Sequence, residues 1–84
     1  MITETEVGAS PRFASALKLA TVDRTIYICL THAGRYAGEL SIREDGFPPL
    51  RYGNPHAAYM VVRSALLNPG KATTLDRERR RAAR

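Results

Sequence analysis

The sequence predicts an α+β fold: a three- or four-stranded antiparallel sheet with one main helix, about 55–67, packed on one face and a short helix near 11–20. Three stretches carry that reading. Residues 25–31, Thr-Ile-Tyr-Ile-Cys-Leu-Thr, are β-branched and aromatic and alternate between two faces. Residues 36–43 resume the alternation after a turn at His32-Ala33-Gly34-Arg35. Residues 55–67 form an apolar run at helical spacing.

Taken in order, residues 1–9 alternate Thr and Glu between Ile2 and Val7, which fits either an edge strand or a flexible end. Ser10-Pro11 offers a capping serine and a proline at a first helical position. Phe13, Ala16, Leu17 and Ala20 follow at helical spacing, hence the expected helix over 11–20. In the strand at 25–31, Ile26, Ile28 and Leu30 share one face, and Tyr27, Cys29 and Thr31 the other. The next strand turns Gly38, Leu40 and Ile42 inward against Glu39, Ser41 and Arg43, so the two apolar triplets should meet. Asp45-Gly46 marks a turn, and Pro48-Pro49 confine the extended stretch 47–52 to an edge. Asn54 then caps a helix that starts on Pro55 and stops at Asn68-Pro69-Gly70. Its apolar side chains Ala58, Val61, Val62, Ala65 and Leu66 are expected against the sheet. Thr74 can cap one more helix, whose sole sizeable apolar residue is Leu75.

With 84 residues there is room for one small domain. We place it at 1–70, followed by a basic and flexible tail at 71–84. The apolar fraction of 44% and charged fraction of 25% are those of an ordinary globular protein. Cys29 is alone, which excludes an intrachain disulfide and a cysteine-built zinc site and fits a cytoplasmic protein. No run is apolar enough to span a membrane, and the acidic start lacks the layout of a secretion signal. The net charge of +5 is unevenly placed. Residues 71–84 carry six basic and two acidic side chains, whereas residues 1–70 carry seven and six.

Reaction signatures are missing. His32 and His56 have no metal-binding spacing, and Glu44-Asp45 sit together on a turn where carboxylates are usually solvated. There is no nucleophile elbow, phosphate loop or dinucleotide fingerprint. The chain therefore reads as a non-enzyme without a cofactor or metal. Its aromatics, Tyr27, Tyr36, Phe47, Tyr52 and Tyr59, are interleaved with Arg24, Arg35, Arg43, Arg51 and Arg63. Tyr and Arg are favoured anchors of protein interfaces, and they also stack on single-stranded bases.

The order of elements resembles double-stranded RNA-binding domains in plan. Where those domains carry lysines at the start of their last helix, this chain reads Gly53-Asn54-Pro55-His56-Ala57-Ala58. The sheet-then-helix layout also looks like HicB-type antitoxins. In size and in the plan of residues 25–31, 36–43 and 55–67, the chain resembles small phage-encoded anti-CRISPR proteins. That resemblance implies an inhibitor binding a CRISPR effector, a protein or ribonucleoprotein complex, by surface contacts. The expected partner-binding residues are Tyr27, Arg35, Tyr36, Glu39 and Arg43 on the exposed hairpin. The alternative is a small DNA- or RNA-binding protein using Arg77, Arg79, Arg80, Arg81 and Arg84 with the basic hairpin.

Overall fold

The computed structural model describes residues 1–8, 13–31 and 39–83. The expected hairpin turn, with Gly34, Arg35, Tyr36 and Gly38, lies outside the described residues, as do Ser10-Pro11 and Arg84. Five strands and two helices follow one another: β1 (Thr3–Val7), β2 (Phe13–Ala20), β3 (Thr25–Thr31), β4 (Leu40–Arg43), β5 (Leu50–Tyr52), α1 (Pro55–Leu67) and α2 (Thr74–Ala82). The strands form one antiparallel meander in sequence order, β1-β2-β3-β4-β5. The α+β class is thus the observed one, with more strands than expected.

The difference lies in residues 13–20, which are strand and not helix. The helical spacing of Phe13, Ala16, Leu17 and Ala20 coexists with a strand alternation, Leu17-Lys18-Leu19. Pairing decides between them. β2 bonds to β1 on one side and β3 on the other, with Leu19 opposite Ile26 and Leu17 opposite Ile28. Leu19 becomes fully buried, which no isolated short helix would achieve. β1 resolves as an edge strand, exposed at all five residues and carrying two glutamates that discourage pairing with another chain.

One face of the sheet builds the core. Ile28 stands opposite Ile42, Leu30 opposite Leu40, and Ile42 opposite Leu50. Ala58, Val62, Ala65 and Leu66 of α1 close on them, as expected from the helical spacing. Leu75 of α2 joins the same cluster and is fully buried, so the segment read as tail packs against the domain. Both helices therefore occupy one side.

α1 begins where the sequence placed it. Asn54 Oδ1 accepts from the Ala57 amide at 3.0 Å, with Pro55 in the first helical turn. Asn54→Ala should cost about 1 kcal/mol, a drop of roughly 4–8 °C in the thermal midpoint. An unchanged midpoint in a calorimetric scan would deny the cap its role. α2 is capped by Thr73, one residue before the expected Thr74, and the Thr73 amide and hydroxyl both donate to Asp76 Oδ2, at 2.9 and 3.1 Å. The hydrogen bond from the Thr73 amide, then that from its hydroxyl, holds the Asp76 carboxyl below its usual range.

Candidate partner-binding surface

The face of the sheet opposite the helices is built from alternate residues of each strand. Register aligns Thr5, Lys18, Tyr27 and Arg43 in one row across β1 to β4. The adjacent row runs Val7, Ala16, Cys29, Ser41, Arg51. Small residues thus sit between large ones. Cys29 and Ser41 are buried, while Lys18, Tyr27 and Arg43 are half-exposed and Arg51 is exposed. Arg43 Nε donates to Ser41 Oγ at 3.1 Å, which draws the guanidinium back along its own strand. Arg51 pairs with Glu39 at 2.8 Å, an exposed contact that orders the side chains more than it stabilises the fold.

Beside this face lies the turn after β4. The Phe47 amide donates to the Glu44 carbonyl at 3.1 Å, and Gly46 takes a φ of +89°, a conformation suited to glycine. The turn points the Glu44 side chain inward and leaves Phe47 about half exposed. Phe47, Tyr27, Arg43 and Asp45 line a shallow hollow of about 350 Å³.

Glu44 is the pivot of a buried ion cluster. Arg24 grips it side-on, Nε to Oε2 and Nη2 to Oε1, both at 2.9 Å. Arg79 of α2 adds Nη1 to Oε1 at 2.9 Å. Arg24 is positioned by the β2–β3 turn, where its amide donates to Thr21 Oγ1 at 3.2 Å and its carbonyl accepts from the Thr21 amide at 2.8 Å. Burial works against ionisation of Glu44, but the hydrogen bonds and charges of Arg24 and Arg79 outweigh it and hold the carboxyl below its usual value. The guanidinium of Arg79 stacks on the Phe47 ring, 3.8 Å from its centre. The expectation that Glu44 is solvated on its turn is therefore overturned: its side chain is 9% exposed.

Of the expected partner-binding residues, the structure brings Tyr27, Glu39 and Arg43 to one face, with Tyr27 directly opposite Arg43. Arg35 and Tyr36 lie outside the described residues. Among the arginines of the alternative reading, Arg77, Arg80 and Arg81 are exposed. Arg79 is withdrawn into the ion cluster at 10% exposure. Lys18 and Phe47 complete the surface; Phe47 belongs to the interleaved aromatics, but neither stands among the expected partner-binding residues. Lys18 was hidden by the helical reading of 13–20, and Phe47 gains its place through a contact with α2.

A further hollow of about 860 Å³ opens on the helix side, among Leu17, Ile28, Leu30, Leu40 and Tyr59. The Tyr59 hydroxyl donates to Glu4, and this hydrogen bond chiefly raises its pKa. Among the described residues no group of three His, Cys, Asp or Glu is placed to hold a metal. No helix among them is long and apolar enough to cross a membrane.

The class these features define is a two-layer α+β domain, a meander with helices on one face and a polar, aromatic face on the other. Comparison of the chain with protein-family models, curated proteins and solved structures finds no match.

Proposed function

We propose that this protein is a non-catalytic binding module that acts by occupying a surface on a larger macromolecular assembly. In the finer reading suggested by its size and plan, it inhibits a CRISPR effector in the manner of anti-CRISPR proteins. One observation carries the proposal: both helices pack on the same side of the sheet, and the opposite side presents Lys18, Tyr27, Arg43 and Arg51. An antiparallel sheet needs only one covered face to be stable. Rigid strands hold the Tyr and Arg side chains in place, which limits the entropy lost on binding. The buried carboxylate Glu44 is kept ionised by two arginines, which suits a structural anchor rather than a proton donor.

The test begins by recovering the partner from a native-host extract under nuclease treatment. Its affinity is then measured for the wild type and for Lys18→Glu with Arg43→Glu. Loss of a hot spot predicts binding about 30-fold weaker. Unchanged affinity of a folded double variant would sink the proposal. The exposed Arg77, Arg80 and Arg81 on α2 sustain a second reading, binding to nucleic acid. That reading requires affinity falling steeply with salt, by a log–log slope of about −0.9 per phosphate neutralised on duplex DNA. Titration of the free protein with DNA and RNA at two salt concentrations separates the two.

A further inference from the structure

We infer that the notch between the turn 47–49 and α2 is a docking subsite for an acidic side chain flanked by an apolar one, presented by a protein partner. The argument starts from the hydrogen-bonding inventory of Arg79. A guanidinium offers a parallel pair of donors along its Nε–Nη2 edge, and Arg24 spends that pair on Glu44. Arg79 meets the same carboxylate with Nη1 instead. Its Nε and Nη2, the two-donor edge that matches a carboxylate, have no partner among the described residues. The side chain is nine-tenths buried, and unpartnered donors in such a place are costly.

The surroundings say what would satisfy them. Two hollows share Phe47, Arg79 and Arg80 as walls. One, of about 300 Å³, is otherwise apolar, with Pro48, Pro49, Leu50, Ala82 and Ala83. The other adds Lys71 and Asp76. Arg80 and Lys71 face Asp76 around the notch while Arg79 is paired with Glu44, and the positive balance that remains favours a negatively charged visitor. The apolar walls favour a peptide over a bare phosphate, because they bury a hydrocarbon side chain beside the charge. Phe47 covers the Arg79 guanidinium, yet it is half exposed and stands outside the core cluster. The two donors are closed to solvent here, so docking requires the wall of the notch to open, and Phe47 is a part of that wall that the core does not hold. Because Phe47 also borders the hollow beside Tyr27 and Arg43, the subsite adjoins the sheet face opposite the helices. The inference rests on the protein-binding reading, but its test does not depend on Tyr27 or Arg43.

The probe is the peptide N-acetyl-Leu-Asp-Leu-amide, followed through the Arg79 Nε–H signal in a two-dimensional 1H–15N spectrum. A saturable shift is expected, with the Asn analogue binding at least about tenfold more weakly, since it cannot form a charged two-point contact. Arg79→Lys keeps the charge and removes the paired donors, so binding should fall by a similar factor. Ala82→Leu fills the apolar hollow without touching the ion cluster and should weaken binding several-fold, which keeps the test decisive if Arg79→Lys fails to fold. The inference is overturned by equal binding of the Asp and Asn peptides, by no saturation up to roughly 20 mM, or by inorganic phosphate binding more tightly than the Asp peptide.

Discussion

Glu44→Gln should lower the stability of the fold by about 3 kcal/mol, because it leaves Arg24 and Arg79 without the charge that brings them together. Removing one partner of a buried ion pair costs about 3–5 kcal/mol, and the lower end applies because Arg24 is 31% exposed. For a domain of this size that is a fall of roughly 12–24 °C in the thermal midpoint. Gln preserves the shape but sets an amide donor against one of the guanidinium donors, so the loss reports on the charge and its hydrogen bonds and not on a cavity. The pH dependence supplies an independent check. The carboxyl of Glu44 is held below its unfolded value in the native state, so its contribution is present above the unfolded pKa of about 4.3 and is lost as pH falls through the native value. The wild type should therefore lose stability relative to Glu44→Gln on acidification below roughly pH 5, leaving the variant with the shallower curve set in part by Asp76. Denaturant titrations of both proteins at several pH values measure this. Parallel curves would mean that Glu44 is not coupled to the fold as described.

How much of this could be read beforehand depends on where each signal is stored. α1 was legible to the residue, since Asn54-Pro55 and Asn68-Pro69-Gly70 mark its ends and its apolar side chains recur at helical spacing. β3 was equally plain. Both owe their form to local chemistry. β2 was not, because Phe13, Ala16, Leu17 and Ala20 satisfy a helix while Leu17 and Leu19 satisfy a strand. The choice was made by hydrogen bonds to β1 and β3, which a local window does not contain. The alternation at Leu17-Lys18-Leu19 was the signal that could have decided it.

The surface shows the same division. Tyr27, Glu39 and Arg43 were assigned to one face by strand parity alone, and the register brings Tyr27 opposite Arg43. The ion cluster was invisible, for Glu44 and Arg79 stand 35 positions apart and nothing in either neighbourhood announces the other. Its consequence for function is specific. One of the arginines counted as basic tail is instead consumed in holding α2 to the β4–β5 turn. The phosphate-gripping face of α2 shrinks accordingly, and the protein-binding reading gains.

Leu75→Ala should cost about 3 kcal/mol, within the range for emptying a fully buried leucine site. Leu75 is the sole large apolar residue of α2, whose remaining side chains are mostly charged. The helix thus docks chiefly through one hydrophobic anchor and the Arg79 side chain, which pairs with Glu44 and stacks on Phe47. Neither alone offsets the entropy of ordering nine residues, so the two should act together. Leu75→Ala combined with Glu44→Gln should therefore cost less than the sum of the single losses, since the first substitution already frees the helix that the second would release. Hydrogen exchange gives the local readout: amides of α2 in Leu75→Ala should exchange far faster than those of α1. A loss below about 1 kcal/mol with unchanged α2 protection would show that the helix does not depend on the core. The binding reading feels the outcome too, because an undocked α2 carries Arg79 away from Phe47 and dismantles the notch beside the sheet face opposite the helices.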